Sequence, residues 1–327
     1  MQVKSLCTKC IILCYHSLVD KQYENRFVGR RRSITVETFE EQIKWLSQFA
    51  QFVSLQDLYT TNKSKKLQVI VTFDDGYKNN IELGYPLFEK YRIPVTWFVC
   101  PYFAENTHCL PWWDLLDFVT ERLHTYFTVR IGEEHYSYNL SSFPERQRFI
   151  QEFGELFKNS SINEQSSYYA AIYNQIPKNK ELPQNGFATI SEIEEAAKYY
   201  WIRVGAHTLN HPNLVCCDPS EIQEEVCTSK EILQNITGQK VDWFAYPFGE
   251  KRHFNDNIKQ VVKSAGFKGA VSTIPGFFDK KNKIDIYSIP RVPVQSGWDM
   301  SSFKFRVLHA NLYRRLQNIK SRVKITS

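Results

Sequence analysis

No stretch of this 327-residue chain approaches the ~20 consecutive apolar residues that a helix needs to cross a bilayer. Near the start, the apolar run of residues 10–15 is too short for the core of an export signal. Cys7 follows only six residues, too few for a lipoprotein leader, so a cytoplasmic location is the expectation. The eight cysteines, at 7, 10, 14, 100, 109, 216, 217 and 227, show no framework spacing, which excludes a disulfide-stapled fold. Cys7-x2-Cys10 with Cys14 lacks the second pair that a structural zinc site needs, and the set reads as thiols in reducing surroundings. Internal repeats and low-complexity linkers are absent. Charge of one sign is not in strong excess either: 41 basic against 35 acidic residues leave +6, which argues against a nucleic-acid partner. From Phe303 onward, however, there are seven Lys and Arg and no acid. Phe305, Leu308, Leu312, Leu316, Ile319 and Val323 recur there at three- and four-residue steps. Residues 303–327 therefore read as a basic amphipathic helix, either packed on the domain or in peripheral contact with anionic lipid.

What is present is enough apolar sequence for a large core, 43% of the chain, with 15% aromatic residues that suit both cores and sugar faces. Strand and helix patterns alternate. Residues 10–16 read as a strand, and Thr35 caps a helix with Phe39, Ile43, Leu46 and Phe49 on one face. Ser54-x-x-Asp57 looks like a capping box opening a short helix. Residues 69–73 and 94–100 are strands around a helix at 80–91. The rhythm breaks between about 101 and 187, where Pro111-Trp112-Trp113-Asp114 opens a helix, a strand pair spans 128–138, and polar, mostly helical segments follow. This is an insertion that forms a lid, one cleft wall or a solvated excursion. From Thr189 the alternation resumes. A helix leads to a strand at 201–204, Asp218-Pro219 starts a helix that stops at Gly238, and strands are expected at 241–246, 269–272 and 286–292. The order argues for parallel strands covered by helices, about seven in number.

Two motifs carry chemistry. Thr72-Phe73-Asp74-Asp75-Gly76-Tyr77 follows one buried-strand pattern, and His207-Thr208-Leu209-Asn210-His211 follows another. Asp-Asp-Gly alone is commonly a solvated turn, and two histidines alone are commonly unrelated. Each at the end of a strand, they offer one Asp and two His for a metal with room for water, and a second Asp free to act as a base.

These segments closely resemble the polysaccharide deacetylases, a carbohydrate esterase family with a NodB-like domain. Phe244-Ala245-Tyr246-Pro247-Phe248-Gly249 is similar to the family's third motif, and Cys14-Tyr15-His16-Ser17-Leu18 resembles the Tyr-His opening of one branch. The resemblance covers roughly residues 10–295. It implies an α/β fold, a distorted (β/α)7-type barrel with a largely helical insertion; an ordinary eight-stave barrel is the alternative. It divides the chain into a catalytic domain, 1–302, and the basic helix, 303–327. It further implies that Asp75, His207 and His211 hold one divalent metal, Zn2+ first with Co2+, Ni2+ or Fe2+ as alternatives, that Asp74 is the base, and that His16 is the acid. His309 is the late alternative to His16. Phe248 would offer its N–H to an oxyanion, with Tyr246 beside it at the substrate. Where much of the family has Arg, this chain has Ala245, and Arg291 in Ile289-Pro290-Arg291-Val292-Pro293 is the expected substitute. The implied reaction is removal of N-acetyl groups from N-acetylhexosamine in a glycan or a lipid-linked precursor. O-deacetylation, hydrolysis of a non-sugar amide, and glycan binding without turnover are the alternatives.

Overall fold

The structure is a computed structural model that describes residues 9–20, 32–59, 66–106, 108–183, 185–279 and 285–310. The chain opens with β1 (Lys9–Tyr15) and a short parallel pair, β2 (Ser17–Val19) and β3 (Ser33–Thr35). Helix α1 (Val36–Ser47) leads to β4 (Ala50–Phe52), a 3-10 turn at Leu55–Tyr59, and β5 (Leu67–Phe73). Helices α2 (Asn79–Glu82) and α3 (Tyr85–Tyr91) connect to β6 (Val95–Val99), which runs into α4 (Pro101–Glu105). The insertion comprises α5 (Trp112–Arg122), the hairpin β7 (Tyr126–Ile131) and β8 (Glu134–Asn139), α6 (Phe143–Lys158) and α7 (Ile162–Tyr173). Then come α8 (Ile190–Ala197), β9 (Ile202–Ala206), α9 (Pro219–Thr237), β10 (Trp243–Ala245), α10 (Asp256–Ser264) and β11 (Gly269–Val271). The last elements are β12 (Phe278–Asp279), β13 (Val292–Pro293) and α11 (Met300–Leu308).

One sheet runs β11-β10-β9-β6-β5-β1-β12, with β4 beside the first half of β5 and β13 beside the second half of β1. Every pairing in it is parallel except β12 on β1. The segment before and including β13 closes the curl. Ile289 exchanges hydrogen bonds with the end of β11 (Ile289 N to Ala270 O, 2.9 Å; Ser272 N to Ile289 O, 2.8 Å), and Val294 N donates to Cys14 O beside β1 at 2.8 Å. The result is a distorted parallel barrel whose strand ends converge on one rim.

Both faces of the strands are buried, so they read as continuous apolar runs. Ile12, Ile70, Phe98, Trp243, Ala245 and Val271 fill the inside, while Leu13, Val69, Val71, Trp97, Val204 and Phe244 pack under the helices. Gly205 is required here: a Cβ would lie 2.5 Å from the Phe98 ring. Helix starts follow their sequence signals. Thr35 accepts from Thr38 N, and Asp218 forms a capping box with Glu221 on a helix that ends at Gly238 with φ 63°.

Two expectations need correction. The helix expected at 80–91 is two helices. Gly84 lets the chain restart, since a Cβ there would sit 2.3 Å from Asn80 O and 2.6 Å from Phe88. The short helix expected after Ser54 is present as a 3-10 helix, with Asp57 N donating to Ser54 Oγ. The strand expected at 286–292 shrinks to a bridge at Ile289 and the two residues of β13, because Pro290 cannot donate to a ladder and a turn occupies the residues after Asp285.

The insertion has its own apolar core, built from Leu115, Val119, Phe127, Val129, Tyr138, Phe149, Phe153 and Phe157. At the C-terminal side, Phe303 and Val307 of α11 are buried, with Phe303 edge-on to Trp45 of α1 at 5.9 Å. The rest of the basic helix expected at 303–327 lies outside the described residues from 311 on, and so does Cys7. Among the described residues, no helix is long and apolar enough to cross a membrane.

Candidate active site

The rim at the strand ends gathers the chemistry. As β5 ends, Asp74 N donates to Tyr15 O at 2.9 Å, tying the turn to β1. Asp75 and Gly76 then take φ values of 75° and 95°. For Asp75 this left-handed backbone is uncommon, and it turns the chain sharply after the strand. Both carboxylates are 1% exposed, so this Asp-Asp-Gly is no solvated turn.

Asp75 meets the two histidines delivered by β9. His207 Nε2 and His211 Nε2 lie 3.4 and 3.5 Å from Asp75 Oδ1, with all three groups buried. His207 Nδ1 is 2.8 Å from Ala245 O; a carbonyl only accepts, so Nδ1 carries the proton and Nε2 presents a lone pair. Asp75 Oδ1 and Oδ2 and His211 Nε2 are buried without a hydrogen-bond partner. Three convergent, solvent-free ligand atoms with unspent lone pairs fit a divalent cation. Burial by itself raises the Asp75 carboxyl, but the His207 contact and the neighbouring imidazoles hold it well below the usual carboxylate range. Burial, reinforced by His207, lowers His211 to about 3, so its ring is neutral and free to ligate.

Asp74 faces the other way. Arg291, from the segment closing the barrel, reaches it with both prongs: Nη1 to Oδ1 at 2.7 Å and Nη2 to Oδ2 at 2.6 Å. The guanidinium is fully buried and also donates to Thr72 Oγ1 and Ser272 O, both at 3.0 Å. Ala245 offers only a methyl group, and the guanidinium comes from Arg291, in the segment just before β13. Burial pushes the Asp74 carboxyl up, but Arg291, joined by His207 and His16, brings it down to about 2. Cys14, which the sequence did not single out for the site, donates its thiol to Asp74 Oδ2 at 3.3 Å. His16 stands beside this pair; ligand atoms of Cys14, His16 and Asp74 lie within 4.8 Å of one another. Burial lowers His16 to about 4, against the pull of Asp75, and its Nδ1 has no partner.

The insertion supplies a wall. Trp113 packs its ring 4.7 Å from His211, and its Nε1 donates to Tyr77 Oη at 2.8 Å. Tyr77 in turn donates to Asp114 Oδ2 at 3.1 Å and stacks on Phe187. Phe248, at φ 59°, sets its ring 5.0 Å from His211, and among the described residues nothing accepts its N–H. The Tyr246 side chain is not brought to the cluster. It is fully buried, stacks on Phe254 at 4.3 Å and donates to Tyr287 O, because alternate residues of β10 and its extension face the helix layer. His309 ends α11, where it packs on Phe305, away from the strand-end cluster.

Comparison with known proteins places this arrangement. The family model described as Polysaccharide deacetylase matches residues 61–155 and 162–270. The chain belongs to the polysaccharide deacetylase family. It is similar to YxkH of Bacillus subtilis, at 22% identity over 304 residues, 90% of this chain and 75% of that one. It is also similar to the poly-beta-1,6-N-acetyl-D-glucosamine N-deacetylase of Staphylococcus aureus, at 35% identity over 101 residues, 27% of this chain and only 35% of that enzyme. Among solved structures, the Streptococcus pyogenes deacetylase PplD superposes with a TM-score of 0.57 at 18% identity, covering 91% of this chain and 98% of that one. IcaB from Ammonifex degensii does so with 0.54 at 16%, covering 93% and 97%. At these identities the structures establish the shared fold.

Proposed function

We propose that this chain is a metal-dependent N-deacetylase that hydrolyses the acetamido group of N-acetylhexosamine residues in a glycan. The observation that carries the reading is the division of labour between two adjacent carboxylates. Asp75 converges with His207 and His211, while Asp74 is clamped by Arg291. Similarity to the Staphylococcus aureus enzyme supports N-acetylglucosamine as the class of substrate.

An amide resists hydrolysis because its carbonyl is unreactive and its amine leaves poorly. Asp75, His207 and His211 would hold a divalent cation, which when bound polarises the carbonyl and acidifies water. The protein's own groups do the rest. Asp74, kept ionised by Arg291, accepts the proton of the attacking water at a carboxylate oxygen. His16, within 4.8 Å of that carboxylate, is the next acceptor and the donor to the departing nitrogen. Burial keeps it neutral at rest, so it has a free nitrogen with which to receive this proton during the reaction. The Phe248 N–H faces no competing acceptor among the described residues and is the donor for the developing oxyanion. Trp113, oriented by Tyr77 and Asp114, forms the wall against which the sugar lies.

The test is metal content and acetate release from N-acetylglucosamine oligomers, for wild type and Asp75→Asn. About one metal per chain with acetate release, both lost in the variant, is the expected result. Bound metal without acetate release from any N-acetylated oligomer would overturn the substrate class.

A further inference from the structure

The loop that carries both imidazoles is held by a buried acid from a neighbouring helix. Glu225, on α9, is 2% exposed. Its Oε2 accepts from Leu209 N and Asn210 N, both at 2.9 Å, and its Oε1 accepts from Asn210 Nδ2 at 2.7 Å. Leu209 and Asn210 are two of the three residues between His207 and His211. One carboxylate therefore captures two successive backbone N–H groups at the centre of the loop.

The loop needs such a hold. Thr208 and His211 both sit in the left-handed region, at φ 63° and 62°. That conformation is costly for any side chain with a Cβ, and most of all for a β-branched threonine. Locally, only the threonine hydroxyl compensates, accepting from His211 N at 3.0 Å and donating to His207 O. His207 is fixed independently by Val99 O, by Cys100 Sγ and by Ala245 O. His211 has no such set: neither of its ring nitrogens has a hydrogen-bond partner, so its aim rests on the loop backbone and on the Trp113 and Phe248 rings packed against it.

We infer that Glu225 is a positioning residue for the metal centre, presetting the strained His207–His211 loop so that His211 faces Asp75 before any cation arrives. The inference rests on the metal-binding reading above, and its test separates the two. Metal-free protein is titrated with Zn2+ against a chromophoric chelator, and amide hydrogen exchange is followed on the same metal-free samples. Glu225→Ala is expected to bind Zn2+ about 10–100-fold more weakly, the range for losing a group that orients a ligand. Glu225→Gln, whose amide oxygen still accepts from Leu209 N and Asn210 N, is expected to recover most of that loss. Val226→Ala, at the next and fully buried position of α9, controls for destabilisation and is expected to lower Tm with unchanged Zn2+ affinity. Zn2+ affinity of Glu225→Ala within twofold of wild type, or an equal loss in Val226→Ala, would overturn the inference. Exchange decides the positioning claim without metal. Faster exchange at Leu209 and Asn210 in Glu225→Ala supports it, and unchanged protection refutes it even if wild type takes up no cation.

Discussion

Replacing Arg291 by Met tests whether the clamp on Asp74 is the electrostatic keystone of this site. Arg291 is 0% exposed and Asp74 1%, and their two short hydrogen bonds are the shortest route for neutralising the carboxylate. Removing one partner of a buried pair costs about 3–5 kcal/mol, because the other charge is left uncompensated in a poor solvent for ions. The bonds to Thr72 and Ser272 are lost as well. At ~2–4 °C per kcal/mol for a domain of this class, Tm should fall by at least 6 °C. The double variant Asp74→Asn/Arg291→Met removes both charges and should regain much of the loss, with a coupling of about 2–3 kcal/mol in a double-mutant cycle. The assay is urea and thermal unfolding of the four proteins, with kcat and KM on an N-acetylglucosamine oligomer. Arg291→Met should depress kcat with little change in KM, and Arg291→Lys should rescue only partly, since an ammonium cannot reproduce the two-pronged contact. A cost under ~1 kcal/mol together with additive single effects would refute the reasoning, since a buried unpaired carboxylate cannot be that cheap.

Other outcomes follow from the same structure. Gly205→Ala should destabilise by about 1–3 kcal/mol in thermal unfolding, because the new methyl meets the Phe98 ring at 2.5 Å inside a packed barrel. Trp113→Phe keeps a ring against His211 but drops the bond to Tyr77; KM for the oligomer should rise while Zn2+ affinity holds. Stripping metal with a chelator should lower Tm, and restoring Zn2+ should raise it in a concentration-dependent way, as for any ligand that binds only the folded chain. His253 is buried, accepts from Glu250 N, and is lowered by burial from 6.5 to about 4. The unfolded chain therefore takes up a proton first, so stability present above pH 6.5 is lost as pH falls towards 4. His253→Gln should flatten that part of a urea-midpoint against pH curve.

The strand ends were legible in the sequence because a doubly buried parallel strand announces itself as an unbroken apolar run, and the residue that follows it must lie at a rim. Asp75 with His207 and His211 followed from two such runs. The Asp74–Arg291 contact was foreseeable only as a substitution for the absent arginine at Ala245, since 217 residues separate the partners. Cys14 and Glu225 carried no signal: a cysteine inside a strand and a glutamate inside an amphipathic helix look like any others. The Trp pair at 112–113 was ambiguous, since helix-opening tryptophans usually enter cores, and here one stacks on Phe157 while its neighbour faces His211. Tyr246 went astray because period-two alternation places it opposite to the inward-facing Ala245.

By itself, then, the sequence determined the alternation of strands and helices, the two metal-type motifs and the helix caps, all of which depend on patterns within a dozen residues. Only the tertiary structure decided which charge neutralises Asp74, what holds the His207–His211 loop, and that the insertion lends the site a wall. Those choices are made by side chains brought together from distant segments, where burial obliges an ordinary arginine or glutamate to find a partner.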